Sequence, residues 1–216
     1  MNENCWYKDV CEQECSNSCI RYLEMSYLMS NSGIPYALQI PPKLEATTDY
    51  DKYVRLQEIK DNILDFVNNG RNLLICSKFT GNGKTTWAVK LLLKYFDEIW
   101  AGNGFRVRGL FVHVPTLLTK LKNFNDPSLN DFKDRLLNVD LVVWDDIAST
   151  GLSQYDYSQL LVFIDQRLLS KKANIYTSNA SSQESWEKAM GVKITSRILN
   201  SSEIVEFHGK DKRETW

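Results

Sequence analysis

The sequence predicts an α/β fold in which a central parallel sheet is flanked by helices on both faces. Short continuous apolar runs, each suited to a buried strand, recur along the chain, and stretches with helical spacing alternate with them. In addition, a glycine-containing loop, Thr80-Gly81-Asn82-Gly83-Lys84-Thr85-Thr86, joins the first of these runs to a helix.

The elements follow in order. Asp51 to Asn69 places Tyr53, Val54, Ile59, Ile63, Leu64 and Val67 at helical spacing, and Gly70 stops it. Asn72 to Cys76 is an apolar run, the first strand. Lys84 to Phe96 reads as a helix with Ala88, Leu91 and Leu92 facing the core. Gly109 to Val114 is the second strand, Thr116 to Leu121 starts a helix, and Phe132 to Leu137 forms another. Leu141 to Trp144 is the third strand and ends in Asp145 and Asp146. Ser153 to Leu169 is a helix, with Ser153 and Asp156 at capping-box spacing. Ala173 to Thr177 is the fourth strand. A short helical stretch, Lys193 to Leu199, precedes a fifth strand at Ile204 to Phe207.

Ahead of this pattern the chain changes character. Four of the five cysteines, Cys5, Cys11, Cys15 and Cys19, lie in the first nineteen residues, and a helical stretch, Ile20 to Met29, follows. Pro35, Pro41 and Pro42 then mark an extended connection, because proline fixes φ and removes a hydrogen-bond donor. The expected organisation is a cysteine-rich segment over 1–30, a linker over 31–50 and the α/β domain over 51–216.

Composition sets limits. The 216 residues suffice for one ordinary domain with an appendage, and the 43% hydrophobic and 25% charged content is that of a soluble globular protein. No apolar run approaches the ~20 residues needed to span a bilayer. The N-terminus lacks the basic and apolar regions of a signal peptide, so a cytoplasmic protein without a membrane partner is expected. A formal net charge of -1 gives no global attraction to nucleic acid, so any such contact has to be local.

The glycine loop carries the chemistry. A G-x-x-x-x-G-K-[ST] pattern lets the backbone curl around phosphates with its N–H groups inward. Its lysine reaches the phosphates and its hydroxyl ligates magnesium. Gly83, Lys84 and Thr85 supply the last three members, while Lys78 occupies the place of the first glycine. Lys78 therefore has to make the strand-to-loop turn without positive φ or with strain. The helix N-terminus that follows adds partial positive charge. ATP with magnesium is the expected ligand. Asp145 is the expected magnesium residue and Asp146 the expected base for the attacking water. Asn179, at the end of the fourth strand, is placed to hold that water.

With these motifs in order, the chain resembles the helicase-loader ATPases of the AAA+ superfamily, the DnaC/DnaI group, in a short form like those of phages. The resemblance rests on GNGKTT, LVVWDD, YTSN and SRILNSSEIVEFHGKDKR and covers roughly residues 50–213. It implies a P-loop NTPase core without a C-terminal lid domain. By it Lys84 and Thr85 are the Walker A residues and Asp145 and Asp146 the Walker B pair. Asn179 is the first sensor, Arg197 an arginine finger offered to a neighbouring subunit, and Arg213 the second sensor. Asp146 departs from the glutamate many members carry there. The resemblance further implies an ATPase, slow and DNA-stimulated, that binds the replicative ring helicase and delivers it to single-stranded DNA during DNA replication. Self-association in an ATP-dependent ring or spiral and a bacterial cytoplasmic setting go with it. A helical element between the second and third strands touches DNA in this group. Here Lys120, Lys122, Phe124, Lys133 and Arg135 mix basic and aromatic groups there, diluted by Asp126, Asp131 and Asp134; a solvated surface helix is the other reading. The alternatives to a loader are a helicase-binding adaptor with little or no hydrolysis and an IstB-like transposition helper ATPase.

Cys5, Cys11, Cys15 and Cys19 are spaced x5, x3 and x3. Four thiolates match a structural zinc site, with an iron–sulfur cluster and reduced surface thiols as the other readings. A segment this short cannot build a core, so a metal would supply its folding energy. Some loaders dock the helicase through such a zinc-binding region, which by analogy would use Trp6, Tyr7, Tyr22, Leu23 and Tyr27. Cys76, in the first strand, reads as a core thiol.

Overall fold

The computed structural model describes residues 5–7, 11, 16, 18–41, 48–123 and 126–209. Cys15, Phe124 and Arg213 lie outside these residues. In chain order the elements are α1 (Ile20–Asn31), a short 3-10 turn (Tyr36–Leu38), α2 (Tyr50–Asp61), α3 (Ile63–Asn68), β1 (Asn72–Cys76) and α4 (Lys84–Ile99). They continue with β2 (Gly109–His113), α5 (Val114–Leu121), α6 (Ser128–Asn138), β3 (Leu141–Asp145), α7 (Gln154–Leu169), β4 (Ala173–Ser178), α8 (Gln183–Ser201) and β5 (Ser202–Glu206).

The five strands form one sheet in the order β2-β3-β4-β1-β5, and every pairing is parallel. Side chains along a strand alternate between faces, and two separate cores result. Leu73, Ile75, Leu141, Val143 and Ile175 point to the face covered by α1 to α4. Leu74, Cys76, Val142, Trp144 and Tyr176 point to the face covered by α5 to α8. The apolar runs are continuous because both faces are dry.

Three sequence expectations change. The single helix over Asp51–Asn69 is two, because Asn62 leaves helical geometry (φ -112°, ψ 33°) and its amide donates to the Glu58 carbonyl at 2.9 Å. The break turns Ile63, Phe66 and Val67 into the core. The short helix over Lys193–Leu199 is the second half of α8, which bends at Gly191 (φ 73°). A Cβ there would sit 2.9 Å from the Tyr157 ring, so only glycine allows the bend. Third, residues before the proline cluster pack into the domain itself. Met25, Leu28 and Met29 are buried in the same core as Trp87, Leu91 and Tyr95, and Tyr7 lies with them. The Arg21 guanidinium pairs with Asp97 at 2.9 Å and lies over the Tyr7 ring.

The Ser153–Asp156 capping box is present, and a second one, Ser182–Ser185, starts α8. No helix among the described residues is long and apolar enough to cross a membrane.

Candidate nucleotide site

Strand order decides what meets. β4 lies between β1 and β3, so the loop after β1 and the acids after β3 converge at the carboxyl ends of three strands. Open parallel sheets bind ligands at such an edge. Leaving β1, the chain turns at Ser77, whose hydroxyl accepts the Phe79 N–H at 3.0 Å and the Asn82 amide at 2.6 Å. Positive φ occurs at Gly81 (67°) and Gly83 (96°), but not at Lys78. The Ser77 hydroxyl makes the turn, so the missing first glycine costs no left-handed residue.

Lys84, the first residue of α4, is buried and donates to the Phe79 carbonyl at 2.8 Å and to Asn82 Oδ1 at 3.2 Å. The Asn82 amide also reaches the Gly209 carbonyl at 3.4 Å, and Asp49 accepts the His208 and Gly209 N–H groups at 2.7 and 2.9 Å. The chain beyond β5 is thereby tied to the loop. Thr80 is exposed and Thr86 half-buried, on either side of this turn.

Across the edge, the Thr85 hydroxyl donates to Asp145 Oδ1 at 2.7 Å. Thr177, on β4, donates to the same oxygen at 2.8 Å. Asp145 is 7% exposed, and burial raises its pKa above the ordinary carboxylate value despite those two hydroxyl donors. Asp146 is half-buried with φ 57°; its N–H donates to the Thr177 hydroxyl at 3.0 Å. The Asn179 amide donates to Asp146 Oδ1 at 3.2 Å, and His113 Nε2 lies 4.0 Å from Asp146 Oδ2. A buried carboxylate oxygen beside a threonine hydroxyl is a hard-oxygen donor pair, which fits magnesium.

Lys84, Thr85, Asp145, Asp146 and Asn179 are thus brought to one edge. Arg197 is held elsewhere, between α7 and α8, where its guanidinium pairs with Asp165 and donates to the Lys193 carbonyl at 3.3 Å. Sequence reasoning missed Thr177 and His113. The signal for Thr177 was a hydroxyl two residues before Asn179, and only the strand order shows that it faces Asp145. Asp49 and Ser77 gave no motif at all.

The remaining expectations fare unevenly. Lys120, Lys122 and Arg135 are exposed and Lys133 is half-buried on α5, α6 and the turn after α5, but Lys122 is paired with Asp156 at 3.2 Å. Trp6 and Tyr22 contact ring to ring, and Leu23 is exposed. Tyr7 is a correction: it is buried and donates to Asp97 at 2.7 Å, so it presents no docking surface. Cys5, Cys11 and Cys19 belong to no group of three or more His, Cys, Asp or Glu side chains able to hold a metal among the described residues. Cys76 is buried, with its thiol pushed up to about 11 by burial, as a core thiol should be.

No curated protein matches the sequence. Several solved structures share the fold. The DnaC helicase loader superposes with a TM-score of 0.67 at 20% identity, covering 80% of this chain and 99% of that one. DnaI gives 0.61 at 20%, covering 87% and 93%. AMPPCP-bound DnaA from Aquifex aeolicus gives 0.62 at 15%, covering 86% and 54%. At such identities the likeness establishes the fold alone, a parallel sheet flanked by helices on both faces. The family model of the IstB-like ATP binding proteins matches residues 43–215, from before α2 to beyond β5, and the chain belongs to that family.

Proposed function

We propose that this protein is an ATP-hydrolysing helicase loader, which binds a replicative ring helicase and delivers it to single-stranded DNA. The observation that supports the ATPase reading best is the meeting of Lys84, Thr85, Asp145, Asp146 and Asn179 at one sheet edge. The loader reading is supported by the fold shared with the DnaC helicase loader over 99% of that chain.

In this reading the loop of Thr80, Gly81, Asn82, Gly83, Lys84, Thr85 and Thr86 holds the phosphates, with backbone N–H groups inward and the Lys84 ammonium beside them. Thr85 and Asp145 hold magnesium, which when bound neutralises phosphate charge. Asp146 takes the proton of the attacking water, and Asn179 fixes the Asp146 carboxylate where it can do so. Arg197 of one copy completes the site of a neighbour once released from Asp165. Arg213 takes the part of the second sensor, on the strength of the sequence resemblance. Lys120, Lys133 and Arg135 track the DNA backbone. The four-cysteine zinc site rests on the sequence alone, and metal analysis of the purified protein decides it.

The family match favours a second reading, an IstB-like transposition helper ATPase. The rival in a different class is an adaptor that holds the helicase without turning ATP over. ATP hydrolysis measured with and without single-stranded DNA separates the ATPase readings from the adaptor. A loader shows turnover stimulated by single strands. Turnover at background level under both conditions would leave only the adaptor.

A further inference from the structure

Thr177 belongs to neither the phosphate loop nor the acid pair, yet its hydroxyl joins the two acids, Asp145 and Asp146. It is 2% exposed, and its one hydroxyl makes two bonds of opposite sense. It donates its proton to Asp145 Oδ1 at 2.8 Å and accepts the Asp146 N–H at 3.0 Å. The Thr177 carbonyl accepts the Ile147 N–H at 2.9 Å. One residue of β4 therefore ties down three consecutive residues of the β3 exit.

That exit needs a tie. Asp146 (φ 57°) and Ala148 (φ 63°) are both left-handed, a conformation residues with side chains keep only where their surroundings over-determine it. The Asp146 N–H would otherwise lie unsatisfied at the end of a buried strand. A hydroxyl carries a single proton, so donation to Asp145 leaves its lone pairs to Asp146, and the sense of the relay is fixed. Valine has the shape of threonine and can make neither bond. Serine can make both.

We propose that Thr177 is a positioning residue for magnesium-dependent nucleotide binding and, through it, for ATP hydrolysis. It holds the Asp145 carboxylate toward Thr85 for shared magnesium binding, and it holds Asp146 in the turn that brings its carboxylate to Asn179. This rests on the ATPase reading above, and the test separates the two.

The full-length chain is compared with Thr177→Val, Thr177→Ala and Thr177→Ser. The readouts are the Kd of a fluorescent ATP analogue with magnesium and with EDTA, the kcat and KM of ATP hydrolysis, and the thermal midpoint. The valine and alanine variants are expected to bind nucleotide in EDTA like the parent. They should lose about tenfold or more of the tightening that magnesium brings, a loss typical of removing a hydrogen bond to a charged group. Their kcat should fall by about tenfold or more with KM changed less, and serine should restore both. Magnesium-dependent tightening and kcat retained in valine would overturn the proposal. So would losses equal in valine, alanine and serine, or a loss confined to the thermal midpoint. If the parent itself hydrolyses no ATP, the ATPase reading fails. The magnesium dependence of binding then decides Thr177 alone: retained tightening in valine overturns it and lost tightening supports it. Should valine fail to fold, alanine carries the same comparison.

Discussion

Asp145 is a buried carboxylate with two hydroxyl donors on one oxygen. Burial raises its pKa, so the folded state binds the proton more tightly than the unfolded chain does. The sign follows. Below the unfolded value the group is neutral in both states and costs nothing; as pH rises through the unfolded and then the folded value, stability is lost. Asparagine keeps an acceptor oxygen for Thr85 and Thr177 and removes that cost. Asp145→Asn is therefore expected to leave the nucleotide-free protein at least as thermally stable at pH 8, with a gain that shrinks on acidification. It should also abolish magnesium-dependent hydrolysis. Thermal melts across pH check the first part, and a variant markedly less stable at pH 8 would contradict it.

At the scale of the element, α7 holds the far end of the sheet through one side chain. Arg167 is 0% exposed. It donates to the carbonyls of Leu136 and Val139 at 2.8 and 2.9 Å, to Ala173 at 2.7 Å and to Asn174 Oδ1 at 2.7 Å. Leu136 is in the last turn of α6, whose carbonyls have no partner within the helix, so α7 caps α6. Burial pushes the guanidinium down to about 10, still charged at neutral pH. Arg167→Ala takes the guanidinium from three buried carbonyls, leaves Asn174 Oδ1 with the Trp144 Nε1–H, and opens a cavity; it should cost about 3–5 kcal/mol. A urea melt with a lowered midpoint and unchanged slope reads it. Nothing in the sequence marks this arginine among its neighbours, because its partners are backbone carbonyls brought together by tertiary packing. The five strands, by contrast, were legible from apolar runs, and α7 from its Ser153–Asp156 cap. The helix break at Asn62 was not, since a periodic pattern continues across a change of axis, and of α8 only the half after Gly191 showed in the sequence.

Across the whole molecule, the segment before the proline cluster shares the core of the nucleotide domain. Leu28 on α1 is 1% exposed among residues of α4. Leu28→Ala is expected to destabilise the domain by about 2–5 kcal/mol, with nucleotide binding and global unfolding lost in one transition. Independent unfolding of α1 would appear instead as an unchanged main transition. Helicase binding is therefore better tested with substitutions at Trp6, Tyr22 and Leu23 than by deleting residues before Ser30, which removes Met25, Leu28 and Met29 from the core. Of the site, the phosphate loop and the acids were legible as local motifs. The threonine and histidine facing those acids were not, because strand order places them and no local pattern encodes it. The central claim is that this ATP site controls placement of a helicase. The direct measurement is the amount of replicative ring helicase deposited on circular single-stranded DNA with ATP, comparing the parent with Lys84→Ala. ATP-dependent deposition by the parent, reduced to the helicase-alone level in the variant, is the predicted result. Equal deposition by both would contradict the account.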